Sequence, residues 1–262
     1  MVSKTISAAS LLCVLLQPVI AYPSPQQSLH QGKECPTGVQ IIGVEGTGAT
    51  PGRFEGLEDL RADLLKRMPG SASFALDYPA SGSVDAANVS SYHIPTYLPS
   101  EITGVFTLGA KINTFTKRCP QTGIVLIGYS QGSHVIGDAL CGFSGSLTRF
   151  ISTAISQQSQ KSIRAVIQFG DPRNTRNLNW HIGSSTNAGI LPRSDFDQCE
   201  HLGNVWQSYC DAGDCVCDGD SFFGCNIGND VHVSYLPKYQ KDVVDFIVKN
   251  ANSSVIDTKN DI

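Results

Sequence analysis

The chain has no long apolar run after residue 20, and this excludes a membrane-spanning helix there, since a span needs roughly 20 consecutive apolar residues. Charged residues are also scarce, at 16% of the 262 residues, and 23 Asp and Glu outnumber 19 Lys and Arg. This mildly acidic balance argues against nucleic acid or an anionic membrane as the partner. We expect a monomer that needs no cofactor.

The N-terminus has the pattern of an export signal. Lys4 lies in a short polar start, an apolar stretch runs from Ala8 to Ile20, and Ala21 precedes a Pro-, Gln- and Ser-rich segment. This order is typical of a secretory signal peptide cut near Ala21. We therefore predict a signal peptide at 1–21, a flexible arm or pro-segment at 22–33, one folded domain at 34–252 and a flexible tail at 253–262. The protein is expected to be secreted and extracellular.

Nine cysteines are present, and Cys13 lies in the predicted signal. The remaining eight are an even number in an exported chain, which predicts up to four disulfides. They are Cys35, Cys119, Cys141, Cys199, Cys210, Cys215, Cys217 and Cys225. Zinc is not expected, because the histidines are scattered and no pair of C-x-x-C elements occurs. The aspartates at 211, 214, 218 and 220 lack the terminal glutamate of a calcium loop, so we interpret them as a polar loop and expect no metal.

Short apolar runs alternate with helical patterns along the chain. Strands are predicted at Val39 to Val44, Ser73 to Leu76, Ile124 to Ile127, Ala165 to Phe169 and Val205 to Tyr209. Helical spacing is found around Leu57 to Leu65, Val105 to Phe115, Val135 to Leu140 and Val243 to Val248. This alternation predicts a mainly parallel sheet covered by helices on both faces. In such sheets, sites collect at the carboxyl ends of the strands.

The segment Gly128-Tyr129-Ser130-Gln131-Gly132 follows an apolar run and precedes a helical pattern. It predicts a nucleophile elbow, in which a tight strand-to-helix turn exposes the hydroxyl of Ser130. Gly128 and Gly132 would let the following helix pass close by. His134, four residues after Ser130, cannot easily swing back over the hydroxyl. We expect it on the helix surface or at the pocket rim.

A serine hydroxyl needs a base to remove its proton and an acid to orient that base. The downstream histidines are His181, His201 and His232, and the aspartates at strand ends are Asp171 and Asp214. The residues favour Asp214 with His232, because flanking cysteines could stiffen the Asp214 loop, but they leave Asp171 with His201 open.

Stabilising the negative oxygen that forms during acyl transfer requires backbone N–H donors. One normally comes from the residue after the nucleophile, here Gln131, and a second from the loop after the first strand. Thr47, between Gly46 and Gly48, is the candidate in that loop. An ordinary turn threonine is the alternative interpretation.

Several motifs in this order resemble the fungal cutinase and acetylxylan esterase family. They are Cys35-Pro36, Gly43 through Thr50-Pro51-Gly52, Cys119-Pro120, Gly128-Tyr129-Ser130-Gln131-Gly132, Ala139-Leu140-Cys141-Gly142, Gly170-Asp171-Pro172-Arg173-Asn174, Ser208-Tyr209-Cys210-Asp211-Ala212-Gly213-Asp214 and Val231-His232-x-x-Tyr235. The match runs from about Cys35 to Val248. The resemblance implies an α/β three-layer sandwich, similar to the α/β-hydrolases, with a central mainly parallel five-stranded sheet, no lid and a solvent-exposed serine.

The resemblance also implies roles for individual residues. The nucleophile falls on Ser130, the acid on Asp214, the base on His232 and the oxyanion donors on Thr47 and Gln131. It implies disulfides between Cys35 and Cys119 and between Cys210 and Cys217. A bridge between Cys141 and Cys199 resembles one of the acetylxylan esterases, and Cys215 and Cys225 are then left to pair with each other.

The expected function is a secreted carboxylic ester hydrolase with a Ser-Asp-His triad that deacetylates plant cell-wall polysaccharide. One alternative is a cutinase acting on cutin or on short-to-medium chain esters, with Phe222, Phe223, Val233 and Leu236 as an apolar rim. Another is a catalytically silent secreted binding or effector protein on the same fold. The chain departs from acetylxylan esterases where cysteines are missing, at Tyr78 to Gly82 and at Gly183-Ser184-Ser185. Sequons at Asn88 and Asn252 predict N-glycosylation.

Overall fold

Six parallel strands form the centre of the fold. The computed structural model describes residues 34–82, 94–143, 153–219 and 231–252. Within these ranges the strands are β1 (Val39–Val44), β2 (Ala72–Ala75), β3 (Gly123–Tyr129), β4 (Ile163–Phe169), β5 (His181–Ile182) and β6 (Trp206–Tyr209). Their order across the sheet is β2-β1-β3-β4-β6-β5, and every neighbouring pair is parallel.

Helices cover both faces of this sheet. They are α1 (Glu58–Arg67), α2 (Ile94–Arg118), α3 (Gln131–Cys141), α4 (Gln157–Gln160), α5 (Tyr235–Lys238) and α6 (Gln240–Asn252), and a 3₁₀ helix spans Glu200–Val205. The apolar sides of α2 and α3 pack on one face. Those of α1 and α6 pack on the other. None of the helices in the described ranges is both long enough and apolar enough to cross a membrane.

The alternation of side chains in β1 shows why both faces are covered. Ile42 and Val44 are completely buried against α2 and α3. Val39 and Ile41 point the other way and are buried beneath α1 and α6. A strand with apolar side chains on both faces is stable only between two helical layers, because each face must be removed from water. The predicted α/β three-layer sandwich is therefore confirmed.

The predicted strand count was wrong by one. The sequence pattern gave five strands, whereas the sheet has a sixth, β5, beside β6. β5 is only two residues long and its side chains are half-buried. Periodicity in hydrophobicity is not visible over two residues, so no pattern could have revealed this strand.

Three disulfides join described residues: Cys35–Cys119, Cys141–Cys199 and Cys210–Cys217. These are the three pairs that the family resemblance implies. Cys215 is also disulfide-bonded, and its expected partner Cys225 lies outside the described residues. The compact unit of the fold begins at Cys35.

The parallel arrangement brings four turns to one edge of the sheet. The segments that follow β1, β3, β4 and β6 all start at the carboxyl ends of neighbouring strands. They begin with Glu45, Ser130, Gly170 and Cys210. Ser130, Thr47, Asp171 and Asp214 lie on these turns, Gln131 follows Ser130 as the first residue of α3, and His232 lies on the segment that leads into α5.

Candidate active site

Ser130 occupies a strained turn between β3 and α3. Its φ of 52° and ψ of −117° lie in a region that L-residues rarely adopt, and its N–H donates to the carbonyl of Phe169 at 2.8 Å. A Cβ on Gly132 would lie 1.8 Å from the carbonyl oxygen of Val44, and one on Gly128 would lie 2.8 Å from the backbone of Ser133. Only glycine allows α3 to run this close to the sheet. The turn therefore has the geometry of a nucleophile elbow.

Asp214 and His232 form a buried hydrogen-bonded pair. The Nδ1 atom of His232 lies 2.9 Å from both carboxylate oxygens of Asp214. The N–H of Val216 donates to Oδ1 at 2.9 Å, and the hydroxyl of Tyr235 donates to Oδ2 at 2.6 Å. Burial by itself raises the pKa of Asp214, but the hydrogen bonds from His232 and Tyr235 outweigh it and keep this pKa below its usual value. The carboxylate is thus ionised and oriented toward the imidazole.

Residues 211–218, which we call the acid loop, are held at several points. The disulfide Cys210–Cys217 closes the loop around Asp214. Asp218 accepts the N–H of Gly213 at 2.8 Å. Asp211 accepts a hydrogen bond from Lys238 of α5 at 2.6 Å. The aspartates interpreted as a polar loop are therefore anchors of that loop, and Asp220 lies outside the described residues.

Two contacts bring His232 to the elbow. The hydroxyl of Tyr129, the residue before Ser130, donates to the backbone carbonyl of His232, and the two rings are 5.6 Å apart. Gly170, next to the Phe169 carbonyl that holds Ser130, forms the floor under the imidazole. A Cβ on Gly170 would lie 2.7 Å from Cε1 of His232 and 3.1 Å from Oδ2 of Asp214.

Sequence reasoning did not find Tyr129 or Gly170 as site residues. Gly170 has a φ of +58° and immediately follows a strand at the edge where sites collect. A glycine directly after a buried strand at this edge is therefore a sequence signal for a site residue.

The side chain of Gln131 is buried and hydrogen-bonded at both ends. Its Oε1 accepts from the hydroxyl of Ser100 at 3.1 Å, and its Nε2 donates to the carbonyl of Ser81 at 2.9 Å. Ser81 in turn donates its N–H to Ser100 at 2.8 Å. The amide N–H of Gln131 belongs to the first turn of α3, where backbone donors have no partner within the helix.

Thr47 lies in the turn after β1, beside the elbow. A Cβ on the preceding Gly46 would lie 3.1 Å from Cβ of Ser130, and one on Gly82 would lie 2.9 Å from the Thr47 methyl group. Thr47 is half-buried. The turn therefore places Thr47 and Gln131 on neighbouring segments around Ser130.

The alternative acid and bases make other contacts. Asp171 is buried and accepts the N–H of Arg173 at 2.9 Å, which is a turn-capping contact. His181 lies in β5, where burial lowers its pKa. His201 lies exposed in the 3₁₀ helix. Among the described histidines, only His232 is hydrogen-bonded to Asp214.

The expectation for His134 was wrong. It is 2% exposed rather than at the surface or the pocket rim, because α3 is covered by α2 and by the segment after β4. Its Nδ1 atom lies 3.1 Å from the hydroxyl of Tyr97. Its Nε2 atom lies 3.5 Å from Asp138 and 4.0 Å from Glu101.

Glu101, His134 and Asp138 could offer three ligand atoms to a metal ion by distance alone. However, Arg193 donates to Oδ1 of Asp138, and Arg173 lies 3.5 Å from the same atom. The two guanidinium groups already compensate the charge of Asp138, so a divalent cation would add uncompensated positive charge in a buried place. We interpret the cluster as an ion-pair network.

Only part of the predicted apolar rim is described. Val233, next to His232, is 57% exposed, whereas Leu236 is partly buried against the core. Phe222 and Phe223 lie outside the described residues, as does the sequon at Asn88. Asn252 is exposed at the end of α6.

Comparison with known proteins identifies similar chains. The family model described as Cutinase matches residues 34–251. Acetylxylan esterase from Hypocrea jecorina is 30% identical over 93% of this chain and 77% of its own length. Acetylxylan esterase 2 from Talaromyces purpureogenus is 29% identical over 85% of this chain and 90% of its own length. Cutinase 11 from Verticillium dahliae is 29% identical over 86% and 72%, respectively.

Solved structures show the same similarity. The catalytic core domain of acetyl xylan esterase from Trichoderma reesei aligns with a TM-score of 0.69 and 28% identity, over 83% of this chain and all of that domain. A cutinase-like protein from Cryptococcus sp. aligns with a TM-score of 0.61 and 20% identity, over 83% of this chain and 96% of its own. The second likeness concerns the fold alone.

Proposed function

Because this chain belongs to the cutinase family of serine carboxylic ester hydrolases, we propose that Ser130, His232 and Asp214 are its catalytic triad. In this proposal Ser130 is the nucleophile, His232 the general base and Asp214 the acid that orients the base. The observation that carries it is the buried Asp214–His232 pair, 2.9 Å apart, joined through Tyr129 to the strained elbow that holds Ser130.

The reaction has two half-reactions. The Nε2 atom of His232 takes the hydroxyl proton of Ser130 while the serine oxygen bonds to the ester carbonyl carbon. The tetrahedral intermediate then breaks its bond to the alcohol oxygen, which receives the proton from His232 and leaves. Water enters, gives a proton to His232 and attacks the acyl-serine, and the acid is released as Ser130 recovers its proton. Asp214 keeps the imidazole in one tautomer throughout.

Thr47 and Gln131 supply the oxyanion donors in this mechanism. The side chain of Gln131 is fixed at both ends, so the amide N–H at the start of α3 has a fixed direction. Preorganised donors stabilise the developing charge without reorganising during the reaction, and losing one costs on the order of a hundredfold in kcat. We therefore expect Thr47→Val to lower kcat by up to this amount if the hydroxyl is a donor.

We assign the natural substrate to acetyl esters on plant polysaccharide such as xylan. Two curated relatives named acetylxylan esterase cover 85% and 93% of the chain. The bridge Cys141–Cys199, which resembles one of the acetylxylan esterases, is present. Together these features favour an acetyl donor over a long acyl chain.

Hydrolysis of cutin is the second candidate. Its support is Val233, which leaves 57% of its surface exposed directly beside the candidate base. An apolar side chain at that place would contact the acyl chain of a longer ester. The relative named Cutinase 11 is nearly as similar as the two acetylxylan esterases.

We also propose where the protein is located and in what form. We assign residues 1–21 to a secretory signal peptide, and we place the mature protein outside the cell as a monomer. Asn252 lies exposed at the end of α6, where a glycan would meet solvent.

The test is hydrolysis of nitrophenyl acetate, butyrate and a long-chain ester by the mature oxidised protein, with Ser130→Ala as the control. Activity that disappears in Ser130→Ala supports the triad. A rate that peaks at acetate, together with acetate release from acetylated xylan, supports the acetyl assignment, and a peak at longer chains supports cutinase. A folded Ser130→Ala protein that keeps most of the activity would contradict the proposal. Inactivity of the parent on all esters would favour a silent binding protein.

A further inference from the structure

Tyr235 is completely buried and makes polar contacts with three parts of the acid loop. Its hydroxyl lies 2.6 Å from Oδ2 of Asp214, 3.1 Å from the backbone nitrogen of Asp211 and 3.3 Å from the sulfur of Cys217. It is the first residue of α5 and follows His232 by three positions. One side chain therefore connects the segment of the candidate base with the loop of the candidate acid.

The direction of these hydrogen bonds follows from the donors available. The backbone N–H of Asp211 can only donate, so the tyrosine oxygen accepts from it. Cys217 is in a disulfide and has no proton to give. The single hydroxyl proton of Tyr235 is therefore directed to the carboxylate of Asp214. A hydrogen bond with an ionised acceptor is stronger than one between neutral groups.

The three donors on the carboxylate leave it one orientation. Val216 donates to Oδ1, Tyr235 donates to Oδ2, and Nδ1 of His232 lies equally far from both oxygens. Without the tyrosine hydroxyl the carboxylate would be held by the Val216 N–H and the imidazole alone. It could then rotate and draw the imidazole with it.

We infer that Tyr235 is a positioning residue of the proposed reaction, whose hydroxyl fixes the carboxylate of Asp214 so that His232 stays aligned during both proton transfers. This inference rests on the proposed triad. Tyr235 touches neither the substrate nor Ser130 and acts only through Asp214. Its ring is itself fixed, since it packs 5.9 Å from the ring of Phe169.

The hydroxyl also moderates the charge of Asp214. A proton donated to Oδ2 stabilises the negative charge on the carboxylate and so weakens its attraction for a protonated imidazole. The other ionisable groups close to this carboxylate are His232 and Tyr129, and Asp211 lies on the far side of Tyr235. Removing the hydroxyl therefore loosens the pairing of the carboxylate with the imidazole, and this change should lower kcat while leaving KM nearly unchanged.

The experiment compares Tyr235→Phe with the parent protein on nitrophenyl acetate. We expect kcat to fall about tenfold, with KM changed less than about twofold, because binding of the ester does not involve the acid.

Tyr209→Phe is the matched control. Tyr209 belongs to the same aromatic cluster, with its ring 5.2 Å from that of Phe169, but its hydroxyl donates to Gln207 at 2.7 Å. Its removal is expected to leave kcat unchanged. Rates are expressed per reactive serine, titrated with a phosphonate ester, so that any misfolded fraction of either variant is not counted.

A double-mutant cycle separates positioning from general stability. If Tyr235 acts through Asp214, then Tyr235→Phe in the Asp214→Asn background lowers kcat by less than about twofold. An unchanged tenfold loss in that background would overturn the inference, as would full activity in the single variant. Failure of the proposed function looks different, because then the parent itself shows no activity that depends on Ser130.

Discussion

Gly170 should be required for activity because its missing side chain leaves the space that His232 occupies. A methyl group added at Gly170 would lie 2.7 Å from Cε1 and 2.8 Å from Nδ1 of His232. Non-bonded carbon atoms approach to about 3.5 Å at the closest favourable distance, so the ring would retreat by about 0.8 Å. A displacement of 1 Å in a catalytic group costs on the order of a hundredfold. We therefore expect Gly170→Ala to lower kcat/KM by about 30- to 100-fold.

The substitution has a second, separate cost. Gly170 has a φ of +58°, and holding an L-residue in this region costs roughly 1–2 kcal/mol of stability. Gly52→Ala is the matched control, because Gly52 has a φ of +72° but a methyl group there would meet Asp77 at an ordinary 3.6 Å. It should lose a similar amount of stability and keep its activity.

The assay measures kcat/KM for nitrophenyl acetate and the urea denaturation midpoint of the parent and both variants. Concentrations are corrected by phosphonate titration of the reactive serine. The reasoning is refuted if Gly170→Ala is folded and retains kcat/KM within threefold of the parent. It is also refuted if Gly52→Ala loses as much activity as Gly170→Ala, because backbone strain and not the imidazole contact would then explain the effect.

Two of the disulfides should differ in what they contribute: one should affect stability alone, and the other should also affect activity. The disulfide Cys35–Cys119 links residues 84 positions apart, and replacing both cysteines by alanine should lower the unfolding free energy by about 4–5 kcal/mol. At temperatures where this variant is folded, its kcat should be unchanged. The disulfide Cys210–Cys217 links residues only 7 positions apart, and its removal should lower the unfolding free energy by about 2 kcal/mol. It should also lower kcat, because the acid loop would be held less firmly. Denaturation curves and initial rates on both variants check this contrast, and equal kcat values would contradict it. Glu101 should make stability pH-dependent: burial raises its pKa from 4.5 to about 7, so between these values the folded protein holds a proton that the unfolded chain has lost. The unfolding free energy should fall over this interval by up to about 3 kcal/mol more in the parent than in Glu101→Gln, as measured by urea denaturation at pH 4.5, 6 and 7, and parallel curves would contradict the assignment.

Local sequence patterns predicted five of the six strands and the four longer helices of the described residues. The run Val39 to Val44 became β1 with the predicted bounds, and the elbow strand and helix meet at Ser130. These predictions work because a strand buried on both faces needs a continuous apolar run, and a tight turn needs glycines at particular positions. Both requirements concern residues that are close together in the sequence.

Features that depend on distant contacts were not accessible in this way. β5 is held by pairing with β6 rather than by its own pattern. His134 follows Ser130 by one helical turn, and only the elements packed around α3 decided that it is buried with Glu101 and Asp138. No spacing along the chain indicates which side of a helix another element will cover.

The candidate site shows the same division. The sequence by itself determined the elbow, because Gly128, Ser130 and Gly132 lie within five residues of one another, and it favoured Asp214 with His232 while leaving Asp171 open. The tertiary structure showed that Asp214 and His232 are in contact, since Nδ1 of His232 lies 2.9 Å from the carboxylate of Asp214. It also showed that Tyr129, Gly170 and Tyr235 lie next to this pair. Hydrogen-bond direction and van der Waals contact depend on the distance between atoms in space, and residues far apart in the chain acquire that distance only when the sheet brings its turns to a single edge.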